Sequence, residues 1–220
     1  MKATTWITLP WTALALAPAG AADMEQGARY RVTFERTWSS ETHPEDFPLL
    51  AHFSPVIGVT HGKDYELFAA GGAATPGIEK LCEEGKHQPL DGEVRSAIQA
   101  GRVGSLIETG EPLRSVPGSA VTEFTIDAGH PRVSIAAMIA PSPDWCAVAP
   151  DVELLENGHF VQEKTVALHA WDAGTDSATS YRALDADTQP HGKMQPSASP
   201  YFRKGGAPTS VGRVTFTRLP

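Results

Sequence analysis

Alternation of apolar and polar residues at period two is the feature that most constrains this chain, because it predicts strands that bury one face. Near the N-terminus Tyr30, Val32 and Phe34 alternate with polar residues, and near the C-terminus Val214 and Phe216 do the same. Further strands are predicted over residues 121–126, 133–139, 152–155 and 160–170. Many short strands joined by turns predict an all-β fold, with an antiparallel β-sandwich as the preferred architecture.

Two short helices are predicted in one insertion between the strands. The first covers residues 76–84 and ends at Gly85, with proline at its first position and glycine just past its end. The second covers residues 92–100, with Asp91 as the expected N-cap and Gly101 as its stop. The sheet is therefore expected to carry a small helical insertion.

Turn signals complete the outline of the fold. Asn157-Gly158 separates two apolar runs and predicts a hairpin turn, because both residue types tolerate positive φ. Residues 189–209 are rich in Pro, Ser and Gly and predict a long loop before the last strand.

The first 22 residues have the features of an export signal. Lys2 supplies a positive charge, residues 6–16 are mostly apolar but too few to span a bilayer, and small residues lead to a cleavage site after Ala22. We therefore predict a single domain over residues 23–220, without a transmembrane segment, that is exported to the periplasm or secreted.

Charge and cysteine content narrow the possible functions. The chain has 18 Lys and Arg against 26 Asp and Glu, a formal net charge of −8. Such acidity repels phosphate backbones, so nucleic-acid binding is not expected. In an exported protein Cys82 and Cys146 are compatible with one disulfide, and equally with two separate buried thiols.

Two acidic turns are the candidate binding residues. Asp144 follows an apolar strand and two prolines, while Asp172 and Asp176 flank a small turn that contains Gly174. Calcium takes six to eight oxygen ligands, and loops at one end of a sandwich are able to supply them. From spacing alone, the second turn is also compatible with an Asx-turn that binds no ion.

Catalytic motifs are scarce in this sequence. The eight histidines are scattered, and neither a zinc-protease motif nor a Gly-x-Ser-x-Gly nucleophile turn occurs. His61 is the one candidate base for an exported metal-dependent hydrolase, and a hydrogen-bonded histidine that fixes a loop is the preferred interpretation. We therefore expect a protein that is not an enzyme, with the hydrolase as the alternative.

Several stretches, taken in order, form a recognisable set. Residues 30–38 read Tyr-x-Val-x-Phe-x-x-x-Trp, residues 140–145 read Ala-Pro-Ser-Pro-Asp-Trp, and residues 172–176 read Asp-Ala-Gly-Thr-Asp. The set continues with a Ser-Pro…Gly-x-x-His block at 52–61, a helix block at 71–85 and a closing strand at 213–219. Together they resemble the spondin domain of the F-spondin and mindin extracellular proteins, over residues 29–219.

The resemblance implies a C2-like β-sandwich that binds Ca²⁺ at one end. It places Asp144, Asp172 and Asp176 on the family's calcium ligands, with Glu123 as a further candidate on an earlier strand. Cys82 and Cys146 both depart from the family pattern, and this paired departure favours a bridge between them.

The resulting hypothesis is a monomeric calcium-binding module for cell-surface or extracellular contacts, including adhesion. Its partner is expected to be a surface protein or a glycan of unknown identity. The ion either takes part in partner binding or only makes the loops rigid.

Overall fold

The structure is a computed structural model that describes residues 24–220, so the predicted signal over residues 1–22 lies outside the described part. Two helices, α1 (Pro76–Glu84) and α2 (Leu90–Gln99), and a short 3₁₀ helix at Pro200–Phe202 accompany the strands. The strands are β1 (Gly27–Arg36), β2 (His52–Phe53), β3 (Ile57–His61), β4 (Val103–Glu108), β5 (Gly118–Asp127), β6 (Arg132–Ala140), β7 (Trp145–Glu153), β8 (Leu155–Glu156), β9 (His159–Phe160), β10 (Glu163–Asp172), β11 (Gln195–Pro196), β12 (Arg203–Lys204), β13 (Ala207–Pro208) and β14 (Gly212–Arg218).

One antiparallel sheet contains most of these strands, in the order β4-β3-β6-β7-β10-β14-β1-β5. The sheet curls until its two outer strands meet, where the Ser105 hydroxyl on β4 donates to the Thr125 carbonyl on β5 at 2.9 Å. The result is a nearly closed sandwich, as the alternating sequence predicts. No helix among residues 24–220 is long and apolar enough to cross a membrane.

The interior of this curved sheet is the larger of two cores. Tyr30, Val32 and Phe34 on β1 are each at most 2 % exposed, and they pack with Val214 and Phe216 of the neighbouring strand. The period-two pattern therefore predicts correctly which residues of these two strands face the interior.

The second core lies between the outer face of the sheet and the helices. Thr75 caps α1 by accepting the N–H of Ile78, and Gly85 ends it with φ 67°. Leu81 and Cys82 of α1 are fully buried against the sheet, and Cys82 is joined to Cys146 of β7. The disulfide is thus confirmed, and it fixes the helical insertion to the sheet across 64 residues of sequence.

Three local predictions have different outcomes. Asn157 and Gly158 both have positive φ in the turn between β8 and β9, which confirms the hairpin. Asp91 is not an N-cap, because α2 begins at Leu90, two residues before its predicted start, with Pro89 at the cap position and no side-chain cap. Residues 189–209 are not one plain loop, since they contain β11, the 3₁₀ helix and the β12–β13 pair.

Candidate metal site

Strand pairing brings the two acidic turns together. Asp144 lies in the turn between β6 and β7, and Asp172 is the last residue of β10. Asp172 is opposite Trp145 in the antiparallel register, so the two aspartates are on adjacent strand ends. The N–H of Ala173 also donates to the Asp144 carbonyl at 3.2 Å. The predicted convergence of Asp144 with the 172–176 turn is therefore present.

Asp144 is the most unusual of these carboxylates, because it is fully buried. Its Oδ2 accepts the N–H groups of Thr175 and Asp176, at 2.8 and 3.3 Å. Its Oδ1 is also buried and has no hydrogen-bond partner among residues 24–220. Burial, followed by the charge of Asp172, raises the pKa of Asp144 to about 6.

Asp172 and Asp176 mainly accept backbone N–H groups, within the 172–176 turn and in the loop that follows it. Asp172 Oδ1 accepts the N–H of Gly174 at 2.9 Å, and burial raises the pKa of Asp172. Asp176 accepts the N–H of Ala178 at 2.6 Å and that of Ala186 at 3.1 Å. The contacts with Gly174 and Ala178, each two residues further along the chain, are Asx-turn contacts, so the alternative weighed from the sequence describes part of what the two aspartates do.

Gly174 has φ 74°, and its Cα lies so close to Gly192 that an added Cβ would be 2.7 Å from the Gly192 carbonyl carbon. A side chain at this position would be strained by the backbone and would collide with the neighbouring loop. The tight 172–176 turn therefore requires glycine here.

Glu123 has a different environment. It lies on β5, and its two carboxylate oxygens bind the guanidinium groups of Arg29 and Arg31 at 3.1 and 3.0 Å. It makes no hydrogen bond with the three aspartates in the described part of the chain. The structure therefore brings together Asp144, Asp172 and Asp176 without Glu123.

The three aspartates do not form a complete metal-binding site by themselves. Within residues 24–220 no group of three or more His, Cys, Asp or Glu side chains is arranged to hold a metal ion. The donor chemistry nevertheless suits calcium, because Asp144 Oδ1 has no other partner and the neighbouring carboxylates repel one another. A cation between the turns would satisfy the oxygen and remove that repulsion.

Two further residues at this site were not found from the sequence. The Thr175 hydroxyl is fully buried, and its oxygen has no hydrogen-bond partner among residues 24–220. Burial raises the pKa of Glu83 on α1, while the approach of Thr175 opposes that rise. The disulfide at the adjacent Cys82 places Glu83 here, so the cysteine pair was the available signal.

His61 is fully buried. Its Nδ1 is 2.8 Å from the Gly62 carbonyl, and its Nε2 is 2.8 Å from the Ser134 hydroxyl. Both ring nitrogens are thus occupied in a histidine that fixes a loop, as preferred from the sequence. Nothing in this geometry supports His61 as the base of a hydrolase.

Comparison with known proteins agrees with the resemblance to the spondin domain. The family model described as Spondin_N matches residues 28–207. Human spondin-1 and rat spondin-1 are each 35 % identical over 208 residues, which is 87 % of this chain and 25 % of the relative. Human spondin-2 is 27 % identical over 229 residues, covering 94 % of this chain and 69 % of the relative.

This chain spans about a quarter of the spondin-1 proteins that it matches. The exported location predicted from the sequence agrees with this extracellular family and with the disulfide. Because the matching model covers most of the chain, the protein belongs to the Spondin_N family.

Proposed function

We propose that this protein is an exported calcium-binding module that acts by binding a surface protein or glycan rather than by catalysis. The observation that carries the proposal is the buried Asp144 Oδ1, which has no partner in residues 24–220. Buried polar atoms without a partner are rare, and a bound ion is one of the few physical reasons for them.

Asp144 and Asp172 are the residues that would bind the ion directly. Each has a carboxylate oxygen that makes no hydrogen bond in the described chain, whereas both oxygens of Asp176 accept backbone N–H groups. Asp176 therefore contributes charge and fixes the turn, and its remaining lone pairs are available to the ion. Calcium supplies positive charge that holds the two turns together.

Isothermal titration of the mature chain with CaCl₂ tests the site directly. We expect one calcium per chain for the wild type, and at least 30-fold weaker binding for Asp144→Asn and Asp172→Asn, because each loses one charge and one ligand. Asp64→Asn is the matched control, because Asp64 is an exposed turn residue after β3. Equal affinities in wild type and both site variants would contradict the proposal.

A further inference from the structure

Three leucines protrude from the surface near the aspartate turns. Leu49, Leu50 and Leu184 are 95 %, 77 % and 89 % exposed, which makes them the three most exposed large apolar side chains among residues 24–220. They lie on two loops, residues 39–51 and 177–187. We call these three residues the leucine rim.

The two loops stand side by side because they share a base. Phe47 and Tyr181 both pack on Trp38, with ring centroids 5.0 and 5.8 Å from it. Arg182 also forms an ion pair with Asp46 at 3.4 Å, which joins the loops directly. The exposed leucines follow Phe47 and Tyr181 by two or three residues, so they lie on neighbouring loops that are joined at their base.

One of these loops is attached to the candidate metal site. The N–H of Ala186 donates to Asp176 Oδ2 at 3.1 Å, and the N–H of Ser177 donates to the Ala186 carbonyl at 3.0 Å. These bonds close the loop that carries Leu184 and tie it to Asp176. Leu184 of the leucine rim therefore lies on a loop that is anchored to Asp176 of the candidate metal site.

The two loops that carry the leucine rim are acidic, and the nearby basic residues Arg203 and Lys204 lie outside them, in the pocket that Glu41 and Glu45 also line. Arg182 is the one Lys or Arg in residues 39–51 and 177–187, and its charge is paired with Asp46. The other charged residues of the two loops are exposed carboxylates, namely Glu41, Glu45, Asp185 and Asp187. A partner that covers the leucines must therefore tolerate or neutralise several negative charges.

We propose that the leucine rim docks a protein segment that presents apolar side chains among lysines or arginines. The apolar contact would bury the leucines, and the basic residues would complement the carboxylates around them. A surface of anionic lipid phosphates is disfavoured by the same carboxylates. This inference rests on the proposed role as a binding module and names the face that it uses.

A synthetic 18-residue amphipathic peptide of leucine and lysine, labelled with fluorescein, is the probe. Fluorescence anisotropy is measured for the wild type and for the triple variant Leu49→Ser, Leu50→Ser, Leu184→Ser. We expect saturable binding to the wild type and at least tenfold weaker binding to the variant, since burial of each leucine contributes a large apolar term. The variant keeps the wild-type charge, so attraction by charge alone would not distinguish the two proteins.

Val121→Ser is the matched control, because Val121 is an exposed apolar residue on β5, outside the two loops. It should bind the peptide within twofold of the wild type. A peptide with glutamate in place of lysine should not bind. The thermal unfolding midpoint of each variant is measured alongside. Substituting the leucines should leave this midpoint unchanged, because their side chains are exposed.

Three results would overturn the proposal. They are no peptide binding by the wild type, equal binding by the leucine variant, or leucine-dependent binding to phosphatidylcholine–phosphatidylglycerol vesicles without peptide binding. A calcium titration of the same samples separates the two proposals. Wild type that binds the peptide but no calcium disproves the metal site alone, and the reverse result disproves the docking surface alone.

Discussion

Asp144 and His61 are both fully buried polar residues at the end of strands, but they differ in how many of their polar atoms are hydrogen-bonded. Both His61 nitrogens have partners, and Ser134, which bonds to Nε2, also accepts the N–H of Asp151 at 3.0 Å. Asp144 keeps one oxygen without a partner among residues 24–220. The hydrogen bonds of His61 are complete without a ligand. Asp144 Oδ1, by contrast, still lacks a cation or a hydrogen-bond donor within the described residues.

This difference distinguishes a buried polar residue that only stabilises the fold from one that is available to bind a ligand. Burial of a polar group costs free energy unless a partner replaces water, so a fold that leaves one oxygen unpaired forgoes stability at that point. The mutual repulsion of Asp144 and Asp172 adds to this cost. Four measurements test this difference between Asp144 and His61, and their expected effects decrease in turn.

The largest effect concerns the disulfide, which supports the aspartate site and has no counterpart near His61. Replacing Cys82 and Cys146 together by alanine should lower the free energy of unfolding by about 4 kcal/mol, because the crosslink closes a long loop in the unfolded chain. Guanidinium denaturation, monitored by tryptophan fluorescence, measures this. A loss below about 1 kcal/mol would mean that the crosslink does not limit the unfolded chain in the expected way.

The second effect is a pH dependence that originates at Asp144. Its pKa is raised from 3.8 to about 6 in the folded protein, so the folded state binds this proton more tightly than the unfolded state. Stability without calcium should therefore fall as pH rises from about 4 to about 6. Above about pH 6, ionisation of Asp144 should lower the free energy of unfolding by up to about 3 kcal/mol.

Asp144→Asn should remove this penalty, so its stability advantage over the wild type should grow across the same pH range in the presence of a chelator. The comparison is made between the two proteins because burial lowers the pKa of His43 to about 4, which gives both an opposing pH dependence. Chemical denaturation at pH 4, 5, 6 and 7 provides the data. A difference that does not change with pH would show that Asp144 is not the group that titrates.

The sequence predicts the strand faces and the convergence of the aspartates well, for physical reasons. Alternation at Tyr30, Val32 and Phe34 reflects burial of one face, and this signal is local. The meeting of Asp144 with the 172–176 turn depends on strand order, which the alternation does not contain. The strand order comes from the spondin resemblance, and the pairing of Asp172 with Trp145 agrees with that order.

Other features depend on contacts that a single sequence does not encode locally. Glu83 reaches the aspartate site because the disulfide and the packing of α1 place it there. Glu123 was suggested by an uncertain offset along β5, and in the structure Arg29 and Arg31 bind it. The start of α2 at Leu90 was missed because the preceding proline, rather than the side chain of Asp91, occupies the cap position.

The third measurement tests whether the fold depends on the hydrogen bond between His61 and Ser134. Ser134→Ala should lower the free energy of unfolding by about 2 kcal/mol, because it leaves His61 Nε2 and the Asp151 N–H without partners. The loss should be the same with calcium and with chelator. Ser119→Ala, at an exposed position on β5, is the control and should be neutral. A neutral Ser134→Ala would show that His61 does not need this bond.

The smallest effect applies the same test to a hydroxyl at the aspartate site. Thr175 is as buried as Ser134, but its hydroxyl has no hydrogen-bond partner in the described part of the chain. Thr175→Val keeps the shape and removes only the hydroxyl, so without calcium the free energy of unfolding should change by less than about 1 kcal/mol. A loss as large as that of Ser134→Ala would mean that the Thr175 hydroxyl is hydrogen-bonded in solution, and Glu83, whose pKa this hydroxyl acts to lower, would be the expected acceptor. The contrast between the two hydroxyls therefore tests, at matched burial, whether the aspartate site is a place where the fold leaves polar atoms free for an ion.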